Sequence, residues 1–76
     1  MINYFIRPGG VYVKINTSTQ DVDLVLDMSA QKTFSVITNN LDYYNSAVSA
    51  SASWTTSDQT AYDLAKTNVL QYLNNR

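Results

Sequence analysis

Eight consecutive residues, Asp21-Val22-Asp23-Leu24-Val25-Leu26-Asp27-Met28, alternate with a strict period of two, and this alternation limits the fold more than any other feature of the chain. In an extended backbone Val22, Leu24, Leu26 and Met28 fall on one side, with Asp21, Asp23, Val25 and Asp27 on the other. A helix would scatter both sets around its axis. The segment is therefore predicted as a half-buried strand of an antiparallel sheet, apolar side inward and acidic side in water.

Its neighbours read the same way. Val11 to Asn16 sets Val11, Val13 and Ile15 against Tyr12, Lys14 and Asn16, and Ile2 to Arg7 sets Ile2, Tyr4 and Ile6 against Asn3, Phe5 and Arg7. Between them Pro8-Gly9-Gly10 supplies a preset turn entry and then residues that tolerate positive φ, which makes the pair a hairpin. Thr17-Ser18-Thr19-Gln20 is a second, polar turn, and residues 29–32 are a third. Thr33 to Thr38 then places Phe34 and Val36 opposite Thr33, Ser35 and Ile37. Four short strands with tight connections predict an antiparallel meander with one covered face.

From Ser57 onward the period lengthens. Ala61, Tyr62, Ala65, Val69, Tyr72 and Leu73 share one helical stripe, Leu64 flanks it and Leu70 lies off it. Thr56 or Ser57 is the expected cap, with Asp58 in the first turn, where the helix dipole favours a carboxylate. A shorter helix is expected over 41–49, capped by Asn39 or Asn40, with Leu41, Tyr44 and Val48 on its inner side. An extended connection follows, from which Trp54 plugs into the core. The expected architecture is a single α+β domain: a four-stranded meander over 1–38, a short helix and connection over 39–56, and a C-terminal helix over 57–74. That helix is expected to lie across Val11, Val13, Ile15, Val22, Leu24, Leu26, Phe34 and Val36.

Composition narrows the possible chemistry. Among 76 residues there is no His, no Cys and no Glu. A domain of this length buries only about 60% of its unfolded surface, and this one lacks the disulfides and metal sites that often staple small folds. The usual neutral-pH acid/base, the usual low-pKa nucleophile and the usual soft-metal ligands are all missing. Nothing matches a nucleophile elbow, a P-loop or a dinucleotide fingerprint. The chain is expected to be no enzyme, and to carry neither cofactor nor metal.

A formal net charge of −1 with no Lys/Arg cluster gives no phosphate-binding surface, so nucleic acid is not an expected ligand. No apolar run approaches the roughly 20 residues of a membrane span, and the N-terminus has no basic signal-peptide region. The expected setting is soluble, with synthesis in a cytoplasm and no evident export. Ser, Thr and Asn contribute 8 residues each while charged residues make up only 14%, a surface suited to hydrogen-bonded contact rather than self-repulsion.

Two groups of residues stand out as candidate sites. Asp21 and Asp23, roughly 7 Å apart along the strand, share a face with Asp27 and offer oxygen ligands to a hard cation. The EF-hand spacing is absent, and a solvated face whose carboxylates pair with Lys14, Arg7 or Lys32 is the expectation. The second group is apolar. Phe5, Tyr12, Val25 and Ile37 are expected to project away from the core, joined by Tyr43, and to form a protein-binding surface.

A β meander, a polar stretch with one Trp (Ser53-Trp54-Thr55-Thr56) and a capped amphipathic helix succeed one another along the chain. In this layout it resembles the small accessory proteins of tailed bacteriophages. The resemblance implies a virion component, such as a capsid decoration or tail-associated protein, that binds neighbouring subunits, in a virion or a host cytoplasm; self-association is the other expected contact. The alternative is a small phage-type inhibitor that blocks a host protein by steric occlusion. Many copies in an assembly, or one copy per target, separates the two.

Overall fold

A computed structural model describes residues 1–28 and 31–75. Five strands, β1 (Ile2–Arg7), β2 (Val11–Asn16), β3 (Asp21–Leu26), β4 (Thr33–Ile37) and β5 (Thr55–Thr56), form one antiparallel sheet in the order β4-β3-β2-β1-β5. Helix α1 (Leu41–Ala50), a 3-10 turn (Ser51–Ser53) and helix α2 (Gln59–Asn75) complete the chain. The α+β meander read from the periodicity is thus present, with one strand more than expected. Thr55 and Thr56 pair with Ile6 and Phe5, turning the expected open connection into a short edge strand.

Local chemistry sets the turns and caps. Gly9 and Gly10 adopt φ of +97° and +79°, and the Gly10 N–H donates to the Arg7 carbonyl at 3.1 Å, closing a three-residue loop. In the second turn the Asn16 side-chain oxygen accepts from the Ser18 and Thr19 N–H groups at 3.0 and 3.3 Å. The turn expected over 29–32 lies partly outside the described residues. Asn40 caps α1, its side chain accepting from the Tyr43 N–H at 3.0 Å.

Helix α2 is capped by Asp58 and not by Thr56 or Ser57, since the Asp58 carboxylate accepts from the Ala61 N–H at 2.8 Å. The Ser57 N–H is already committed to the Tyr4 carbonyl at 2.9 Å, continuing the β5 pairing. Strand pairing thus carries the chain one residue further before the helix begins. Replacing Asp58 by Ala is expected to cost about 1 kcal/mol and to lower Tm by about 4–8 °C, read by thermal melting.

Register decides which residues share a face. Phe5 pairs with Val13 and Val13 with Leu24, so Phe5 joins Val11, Val13, Ile15, Val22, Leu24 and Leu26 on one face. Val25 pairs with Tyr12 and with Phe34, so these three share the opposite face, together with Tyr4 and Val36. Two separate cores follow. Ala47, Tyr43 and Tyr44 of α1, with Trp54, cover the valine face, where Val13, Ile15 and Val22 are buried. Tyr62, Ala65, Val69 and Leu73 of α2 cover Val25, Tyr12, Phe34 and Tyr4 on the other.

The expectation that one face is covered, by the C-terminal helix, is therefore corrected. Both faces are covered, and the valine face belongs to α1. The reason is that each strand taken alone has one obviously apolar side, whereas Tyr4, Tyr12, Val25 and Phe34 become an apolar patch only when register aligns them. The inner side of α1 is also corrected: Leu41 and Val48 are exposed, and Ala47 is the buried residue. A small residue there lets the helix approach the valines closely. On α2, Tyr72 is exposed instead of in the core.

Candidate functional site

The five residues expected to form one outward surface are divided between the two covered faces. Val25 is 0% exposed beneath α2, and Tyr12 packs beside it. Phe5 lies on the α1 face with its ring 6.1 Å from that of Trp54 in edge-to-face geometry. Ile37 is half-buried at the end of β4 and pairs with Val22. Tyr43 is half-buried against the α1-side core. No common patch joins them, because the sheet register puts Phe5 and Ile37 on the face opposite Tyr12 and Val25.

The acidic side of β3 is likewise tied to its neighbours. Asp23 stands opposite Lys14, and Asp21 opposite Asn16, in the β2–β3 ladder. Asp27 forms an ion pair with Lys32. Among the described residues, no group of three or more carboxylates lies close enough to hold a metal ion together.

Lysines on the α2 side sit over aromatic rings. The Lys14 ammonium lies 5.9 Å from the Tyr62 ring centre, Lys32 5.9 Å from Tyr72 and Lys66 5.0 Å from Phe34. Each such contact contributes about 0.5–1 kcal/mol near a surface. Tyr62 is the most constrained member: 1% exposed, its ring 5.6 Å from that of Tyr4, and its hydroxyl without a hydrogen-bond partner among the described residues. Burial pushes its phenol well above the usual tyrosine range, with the charges of Asp23 and Asp63 and the nearby Tyr4 adding to the effect. A phenol held that high stays neutral around pH 7 and is a poor proton carrier for chemistry there.

A cleft opens on the other side of the sheet, where β1 ends. Arg7, Tyr43, Ser46, Ala47, Ala50 and Trp54 line about 180 Å³ of space. The chain matches no protein-family model, no curated protein and no solved structure.

With both sheet faces covered, the outward apolar groups lie elsewhere. Val36 is 51% exposed on β4, and Leu64 is 63% exposed on the outer side of α2. Leu70 is also exposed, one turn beyond the Lys66 that sits over Phe34. The strand alternation places Val36 in the core and the helical period places Leu64 at the flank of the buried stripe, and both are exposed. The available signal for Val36 was its position at the end of the strand series, where a meander leaves an unpaired edge. No helix among the described residues is long and apolar enough to cross a membrane.

Proposed function

We propose that this protein is a non-enzymatic assembly component that joins neighbouring subunits, and that β4 is the element through which it does so. The observation that carries this reading is the unprotected edge. Strand β4 ends the sheet, and its five residues, Thr33-Phe34-Ser35-Val36-Ile37, contain no charge, proline or glycine. Natural edge strands are usually blunted by such residues, by bulges or by being very short. The opposite edge obeys the rule, since β5 has two residues. β4 does not.

The occupant that fits best is a second copy of the chain. Antiparallel pairing of two β4 strands about Ser35 sets Phe34 opposite Val36 of the other copy, twice, and Thr33 opposite Ile37. Aromatic and β-branched residues facing one another are favourable cross-strand pairs, each worth about 0.2–1 kcal/mol. The same register leaves the two Lys32 ammonium groups at opposite ends of the joined strands, so no like charges meet. The result is a continuous ten-stranded sheet flanked by two α2 helices. The resemblance of the chain's layout to small phage accessory proteins supports a virion setting, as a capsid decoration or tail-associated protein.

Light scattering and sedimentation across micromolar to millimolar concentrations test the reading. The parent chain is expected to shift from monomer to dimer, and Val36→Lys to remain monomeric with an unchanged circular dichroism spectrum. Val36 is exposed, so lysine there is expected to alter fold stability by no more than about 0.5 kcal/mol. A parent chain that stays monomeric throughout, or a Val36→Lys variant that dimerises equally, overturns the β4 assignment.

A further inference from the structure

We propose that the cleft between the end of β1 and helix α1 binds the carboxyl-terminal residue of a partner polypeptide when that residue bears an apolar side chain. Arg7 is the last residue of β1 and shares the valine face, where it pairs with Val11. It is partly buried, and among the described residues no carboxylate lies within ion-pairing distance of it. None of its guanidinium nitrogens is a buried atom without a partner, so the group is open to a ligand from solvent, and its planar fork matches a carboxylate with two parallel hydrogen bonds.

The rest of the lining selects what accompanies the carboxylate. Trp54 and Tyr43 provide aromatic surface, and Ala47 and Ala50 are small enough to leave the space open. Trp54 is held in place by its edge-to-face contact with Phe5 and by the Trp54 N–H donating to the Ser51 carbonyl at 3.1 Å. The cleft is therefore supported by packing on both sides. Its volume of about 180 Å³ is well under the roughly 300 Å³ at which sites for whole small-molecule ligands begin. It accommodates a group the size of one residue.

A free carboxyl terminus on a Leu, Ile or Val carries the anion and the apolar group on one Cα, which is the combination this lining complements. An Asp or Glu side chain brings charge with almost no apolar surface. The last turn of α1 contains no basic residue, and Arg7 lines the cleft together with Ala47 and Ala50 of that turn.

Trp54 is the only tryptophan of the chain, so its fluorescence reports occupancy of the cleft directly. The probes are N-acetyl-L-leucine, N-acetyl-L-leucinamide and acetate, titrated into the folded full chain. Both the parent and the Val36→Lys variant are used, so that failure of β4 pairing and failure of this site are read separately. N-acetyl-L-leucine is expected to give a saturable change in Trp54 emission. The amide and acetate are expected to bind at least about tenfold more weakly, as loss of a charged hydrogen-bonded pair or of the apolar contact implies. Arg7→Gln is expected to weaken the N-acetyl-L-leucine response to the level of the amide, with the circular dichroism melt confirming that the variant folds. Arg7→Lys, which keeps the charge and loses the fork, is expected to fall between. Equal binding of the leucine and its amide, an Arg7→Gln titration identical to the parent's, or no saturable change in the parent overturns the proposal.

Discussion

Val25→Asp is expected to unfold the protein. Val25 is 0% exposed, stands between Tyr12 and Phe34 in the ladder and lies beneath Tyr62, Ala65 and Val69 of α2. An aspartate there loses the buried isopropyl group and places a carboxylate where the surrounding residues are aromatic or aliphatic. Lost burial and cavity formation alone cost about 2 kcal/mol or more, and desolvating the charge adds several. Folded domains are stable by only about 5–15 kcal/mol in total, with the lower end usual at this size. Loss of the cooperative urea transition, together with loss of native far-UV circular dichroism, checks the expectation. A Val25→Asp variant that melts like the parent shows that α2 does not cover this face. Val36→Lys is the matched control, since it adds a charge on the same face of the adjacent strand but in water.

Tyr62 yields the second large effect, and its sign depends on the replacement. Tyr62→Ala empties the centre of the α2-side core and is expected to cost about 3–5 kcal/mol. Tyr62→Phe keeps the ring against Tyr4 and beneath Lys14, and removes only a buried hydroxyl that has no partner. Burying such a hydroxyl costs about 1–3 kcal/mol, so Tyr62→Phe is expected to stabilise the fold by about 1 kcal/mol and raise Tm by about 4–8 °C.

The pH dependence carries a further signature. Burial raises the phenol pKa in the folded chain above its unfolded value of about 10. Between the unfolded and folded pKa values the native state holds the proton that the unfolded state has released. The contribution from Tyr62 is therefore fully present below about pH 10 and is lost as pH rises above it. Denaturant titrations from pH 8 to 11 are expected to show this alkaline loss in the parent, and a smaller loss in Tyr62→Phe. Identical slopes in both chains contradict a buried phenol at this position.

Much of the local structure was legible in the residues themselves. The alternation in Ile2–Arg7, Val11–Asn16, Asp21–Leu26 and Thr33–Ile37 located four strands, and the 3.6-residue stripe through Tyr62, Ala65 and Val69 located α2. The expected cap of the short helix, Asn39 or Asn40, is Asn40. The candidate site was less legible. Phe5, Tyr12, Val25 and Ile37 were grouped by which residues opposed the apolar side of their own strand, without the register that relates one strand to the next. One clue was available. A three-residue loop at Pro8-Gly9-Gly10 closes on Arg7 and Val11, which fixes Phe5 beside Val13.

Sequence alone determined the elements, because strand period, turn residues and helix caps act over a few neighbouring positions. Val11, Val13, Ile15, Val22, Leu24 and Leu26 were assigned to a common core by local alternation, and they are one. Only the tertiary structure decided which helix covers that core. It also decided that Tyr4, Tyr12, Val25 and Phe34 make a second core, and that Val36 is left at an open edge. These outcomes depend on parity across loops: a shift of one residue in pairing sends an entire strand's side chains to the other face. Two helices then compete for two apolar faces, and no single segment encodes the result of that competition.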